Sequence, residues 1–148
     1  MSLKARIQDD MKAALRAKDA ARLSAIRLLL AAVKQREVDE RTELDDPAIV
    51  SVVEKLVKQR RDAAAQYEAA GRAELAMAER FEIEVLAAYL PAPLSAEEID
   101  AEIAAAIAAC AATSPADMGK VMNLLKPRLS GRADMAEVSR KLRQALSN

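Results

Sequence analysis

Seven cationic side chains fall between Met118 and Asn148: Lys120, Lys126, Arg128, Arg132, Arg140, Lys141 and Arg143. Only Asp134 and Glu137 oppose them, leaving +5 on this stretch of a chain whose 23 basic and 23 acidic residues otherwise cancel. The preceding stretch, Leu94 to Asp117, carries five acids and no base. Cations beside helix starts and a glycine turn suit phosphate oxygens, because both features expose backbone N–H groups. A solvated helix exterior produces the same pattern. A neutral chain is also not built to coat nucleic acid indiscriminately, so any such role rests on a local patch.

Other chemistry is sparse. There is no histidine, which removes the commonest general base and metal ligand. One cysteine, Cys110, cannot make a zinc site or an internal disulfide. Set among alanines, it is expected to be a small buried hydrophobe. Gly119-Lys120 has the end of a phosphate-binding loop without its upstream glycine or following Ser or Thr. Glu79, Glu82 and Glu84 cluster before Val85, as a carboxylate magnesium site would require. An ordinary solvated helix face explains them better. The expectation is a chain with no catalytic residues, no metal site and no cofactor.

The elements that must position these groups are helical. Apolar residues make up 52% of the chain, but only Tyr67, Phe81 and Tyr89 are aromatic, so Ala, Leu, Ile, Val and Met must build the core. Three glycines and few β-branched runs argue against sheets. Ser2 caps a first helix to about Lys18, and Asp19 a second to about Arg41, with Leu23, Ile26, Leu30 and Val33 as its stripe, widened by Leu29. Asp46-Pro47 opens a third helix to about Ala70 as N-cap and first position. Gly71 ends that helix in the left-handed conformation. A fourth, to about Tyr89, carries Leu75, Ala78, Phe81, Val85 and Leu86.

Pro91-Ala92-Pro93 is the clearest boundary, since both prolines lack a donor and disfavour helix in the residue before. Ser95-Ala96-Glu97-Glu98 then fits a capping box. The helix behind it shows Ile99, Ile103 and Ile107. Ser114-Pro115 starts another helix, with Met118, Val121, Met122 and Leu125 on one face, which Pro127 stops. Gly119 and Gly131 suit tight turns. The last helix, from about Ala133, is either capped by Asp134 or leaves that carboxylate to a ligand. The expected fold is all-α: an N-terminal four-helix domain, residues 1–92, followed by a small three-helix bundle, residues 93–148.

Several runs resemble the YqeY family: Lys58-Gln59-Arg60-Arg61-Asp62-Ala63, Tyr67-Glu68-Ala69-Ala70-Gly71-Arg72, Val85-Leu86-Ala87-Ala88-Tyr89-Leu90-Pro91 and Leu94-Ser95-Ala96-Glu97-Glu98-Ile99. Asp117-Met118-Gly119-Lys120-Val121-Met122, leading on to Leu129-Ser130-Gly131-Arg132-Ala133-Asp134, resembles both that family and the tail of the B subunit of the tRNA-dependent amidotransferase. The resemblance spans nearly the whole chain. It implies a two-part helical fold whose tail contacts tRNA, and a kinship with carbon–nitrogen ligases that use glutamine as amido donor. Kinship of fold does not carry activity across, and ligase chemistry here would need partner subunits.

The expected function is therefore a non-catalytic accessory protein that binds tRNA or structured RNA. Lys120 and Arg132 match the tail signature and lead the site; Lys126, Arg128, Arg140 and Lys141 supply further phosphate contacts. Three aromatics, all before the linker, give no stacking platform, so duplex shape read through phosphates fits better than single strands. A protein–protein adaptor docking through the N-terminal helices, where Lys58, Arg60 and Arg61 lie, is the alternative. A lone cysteine, no apolar leader after Met1 and no run of about 20 apolar residues predict a cytoplasmic protein with no membrane partner.

Overall fold

The computed structural model describes residues 1–147, which form seven α-helices and one short 3-10 segment, with no strand among them. The fold is all-α, four helices followed by three, in two compact units, Met1–Leu90 and Pro91–Asn148.

The first unit contains α1 (Leu3–Arg16), α2 (Ala20–Glu40), α3 (Asp46–Ala69) and α4 (Ala73–Ala87). Local chemistry sets the helix starts: the Ser2 hydroxyl accepts from the Ala5 N–H, and Asp19 from the Arg22 N–H. The α3 start lies one residue earlier than Asp46-Pro47 implies. Asp45 is the cap, accepting from the Ala48 N–H at 3.0 Å. Pro47 remains in the first turn, where its missing donor has no intrahelical partner to lose. Asp46 is thereby freed to accept from the Leu3 N–H at 3.0 Å, tying the start of α1 to that of α3.

Ile7, Ile26, Leu29, Val33, Ile49 and Val53 are fully or almost fully buried at the centre, with Val85, Leu86 and Tyr89 closing the core from the end of the unit. Burying each such side chain stabilises by about 1.5–3 kcal/mol. Leu29 is central, and Leu23 and Leu30 are only partly buried beside it. The expected α4 stripe needs correction. Ala76, Val85 and Leu86 are buried, whereas Leu75 is 42% exposed and Ala78 is exposed. Ala64 of α3 and Ala76 of α4 are buried outside the main core. At such small residues helix axes approach closely and larger side chains are pushed to the rim.

The second unit contains α5 (Ala96–Cys110), the 3-10 segment Pro115–Asp117, α6 (Met118–Leu129) and α7 (Met135–Ser147). Ser95 and Glu98 form the expected capping box, each side chain accepting from the other's backbone N–H. Ile103, Ala106, Val121, Leu125, Leu129, Val138 and Leu142 are buried between the three helices. Cys110 is half-buried against this cluster. Ala92, assigned to the first unit from sequence, belongs here; its carbonyl accepts from Arg132 Nε at 3.4 Å.

Pro127 does not stop α6, which runs to Leu129. Proline deprives only the Asn123 carbonyl of its donor, and fully buried Leu129 rewards one more turn. Gly131 follows at the turn expected of it, and its φ of +78° makes that turn left-handed. Asp134 accepts from the Ala136 N–H at 3.0 Å and so caps α7. Gly119 is not a turn residue. It lies in the first turn of α6 with ordinary helical backbone. No single described helix is long and apolar enough to cross a membrane.

Candidate nucleic-acid interface

The amphipathic pattern of α6 aims its cations. Val121, Leu125 and Leu129 are buried against α5 and α7, so Lys120, Asn123 and Lys126 follow one another at three-residue steps on the solvent side. Lys120 and Lys126 are separated by about 9 Å of helical rise. Neither forms an ion pair or a side-chain hydrogen bond among the described residues. Lys120 does act through space on Asp117. That carboxylate accepts from the Thr113 N–H at 2.9 Å and the Ser114 N–H at 3.4 Å, which fold the turn before α6. These bonds hold it below the ordinary carboxylate range, with Lys120 adding to the effect.

The other four sequence-predicted cations already have partners. Arg128 approaches Glu102 of α5 at 3.8 Å, and Lys141 reaches Asp100 of α5 at 3.0 Å. Arg140 pairs with Glu137 one turn back in α7, an interaction that lowers the glutamate's pKa and raises the arginine's. Arg132 donates to the Ala92 carbonyl, and its own carbonyl accepts from the Leu94 N–H at 2.9 Å, pinning the segment that enters the unit. Two of the five acids preceding α6, Asp100 and Glu102, thus partly neutralise the basic run from α5. From Pro91 onward the chain holds seven bases and seven acids.

Arg143 was counted in the basic run but not among the expected phosphate contacts. It is exposed on α7 with no ion pair among the described residues, because Val138, Leu142 and Leu146 turn the other face inward. The three-residue spacing from Arg140 was the available signal. Asn123 was also missed; only its place between two lysines on the α6 face marks it. Gly119 adds bare backbone beside Lys120, and a Cβ placed there would meet nothing within 4 Å.

The acidic cluster of α4 is not a solvated face. Glu82 lies 2.8 Å and Glu79 3.7 Å from Arg60 Nε of α3, all three partly buried. Arg60 is accordingly held inside the α3–α4 pair and is not a free docking cation, whereas Lys58 and Arg61 are exposed. Glu84 points elsewhere and is exposed. Among the described residues no three Cys, Asp or Glu side chains converge as a metal site would need.

The chain is 39% identical over 100 residues to altered inheritance of mitochondria protein 41, mitochondrial, of Eremothecium gossypii, covering 66% of this chain and 55% of that protein. It is 36% identical over 102 residues to the protein of the same name in Lachancea thermotolerans, covering 67% and 54%. The Kluyveromyces lactis protein of that name is also 36% identical over 102 residues, covering 67% and 55%. The chain spans about half the length of the curated relatives it matches. Their mitochondrial names overturn the expectation of a cytoplasmic location. A lone thiol and the lack of a spanning run cannot tell one compartment from another. The Yqey-like protein family model matches residues 4–146, across both helical units, and the chain belongs to that family.

Proposed function

We propose that the protein is a non-catalytic accessory factor that grips the phosphate backbone of tRNA or another structured RNA through the outer faces of α6 and α7. The observation that supports this reading is that Lys120 and Lys126, aligned on one exposed helix face, have no ion pair among the described residues. Arg143 joins them, and the bare backbone at Gly119 gives a phosphate room to approach the first turn of α6. Arg128, Arg140 and Lys141 enter as a reserve. Their ion pairs are largely exposed, weak in water, and open to exchange of a carboxylate for a phosphate. Arg132 shapes the surface through its bond to Ala92.

Filter binding of total tRNA at 50 and 200 mM salt tests the reading. Affinity should fall steeply with salt, and a Lys120→Ala, Lys126→Ala, Arg143→Ala variant should bind weakly, with the salt slope reduced by about 2–3. Lack of retention at low salt, or equal retention of the variant, would rule the proposal out.

A further inference from the structure

The sequence pattern of α2 hides a second surface. Its buried face is built on Ile26, Leu29 and Val33. On the opposite side Ala21, Ser24, Leu28, Ala31, Gln35 and Val38 are all exposed, uncharged and spaced alternately by three and four residues. This is the a/d spacing of a helix that packs along another helix. Leu28 is 46% and Val38 59% exposed, two of the few large apolar side chains left in solvent. Arg27 and Lys34 stand seven residues apart along one edge of the seam, exposed and, among the described residues, without an ion pair or side-chain hydrogen bond. Lys34 acts on Glu37 only through space. A shallow groove of about 360 Å³ lies at that edge, lined by Ala20, Leu23, Ser24, Arg27 and Leu28.

We infer that this face of α2 is a docking seam for an acidic amphipathic helix of a partner protein. Such a helix lays apolar residues over Leu28 and Val38 and sets carboxylates against Arg27 and Lys34, in the manner of charges flanking a coiled-coil seam. A second copy of the chain is a poor occupant. Antiparallel pairing opposes Arg27 and Lys34 with the same cations, and parallel pairing offers them Ala32 and the single acid Asp39. The seam is separate from the cations of α6 and α7 and does not depend on the RNA reading.

The test uses the full chain and two labelled 21-residue peptides with leucine at the seam positions, one carrying glutamate and the other lysine at the flanks. The glutamate peptide repels itself and stays monomeric at neutral pH. It should bind with a rise in fluorescence anisotropy, gain helical circular dichroism, and bind at least tenfold more tightly than the lysine peptide. An Arg27→Glu, Lys34→Glu variant should reverse that preference while retaining tRNA as the native chain does. A Leu28→Glu, Val38→Glu variant should bind neither peptide. If it misfolds, the charge reversal, which leaves the seam intact, decides the matter. No binding, equal binding of both peptides, a charge reversal without effect, or dimerisation of the chain through this face would overturn the inference.

Discussion

Both carboxylate oxygens of Glu37 lie 2.9 Å from Lys4 Nζ, and Oε2 also accepts from the Leu44 N–H at 2.9 Å. One side chain of α2 thereby fixes the start of α1 and the loop that leads to α3. The Leu44 N–H, then Lys4, hold the Glu37 carboxyl below the ordinary glutamate range. A carboxyl whose pKa is lowered by folding adds stability above its unfolded value, and that stability is lost as pH falls through the folded value. Glu37→Gln should therefore lower the melting temperature at pH 7, and its deficit should shrink as pH drops below the usual carboxylate range. Thermal melts of both proteins at pH 7 and pH 3 check this. A deficit that is the same at both values would show that the charge of Glu37 is idle.

The buried and exposed leucines give a stability contrast. Leu142 is fully buried in the core of α5, α6 and α7. Leu142→Ala should cost about 3 kcal/mol through lost transfer energy and the cavity left behind. Leu75→Ala should change stability by about 0.5 kcal/mol or less, because the side chain stands 42% exposed. Urea unfolding of the two variants separates them. Similar losses would mean that Leu75 packs into the first unit after all.

These two leucines also mark what the sequence could and could not reveal. Chemistry confined to a few residues was legible: the caps at Ser2, Asp19 and Ser95, the left-handed Gly71, the turn at Gly131, and the break near Pro91. The inward stripe of α6 was legible because helix period alone sets it. The α4 stripe was not, since Leu75 and Ala76 differ only in which of them meets the neighbouring helix. Pro127 was misjudged because the pull of Leu129 into the core is a tertiary effect that outweighs one lost hydrogen bond. The candidate site suffered most. Counting charges along the chain gave seven cations and could not see that Arg128 and Lys141 meet acids 26 and 41 positions away on α5. The outer seam of α2 was not legible, because small and apolar residues at helical spacing do not show in the sequence whether the fold covers them or leaves them in solvent.

Gly119 sits in a helix at a conformational cost relative to alanine and with open space where a Cβ would project. Gly119→Ala should raise stability by about 0.5–1 kcal/mol. If phosphate approaches the backbone beside Lys120, the same methyl group should weaken tRNA retention. A variant that melts higher and binds less well would assign the glycine to ligand approach. A variant that melts higher and binds equally would leave the α6 contact to its lysine side chains.

Asp100 and Glu102 offer a test in the opposite direction. They lie 3.0 Å from Lys141 and 3.8 Å from Arg128, and removing their charge releases two cations on the bundle. Exposed pairs of this kind add little to folding, so an Asp100→Asn, Glu102→Gln variant should melt close to the parent. In the RNA reading it should bind tRNA more tightly at low salt, with the dependence on salt steeper by about 1–2 as further phosphates are engaged. An unchanged slope would show that Arg128 and Lys141 stay outside the contact even when free. It would confine the interface to Lys120, Lys126 and Arg143.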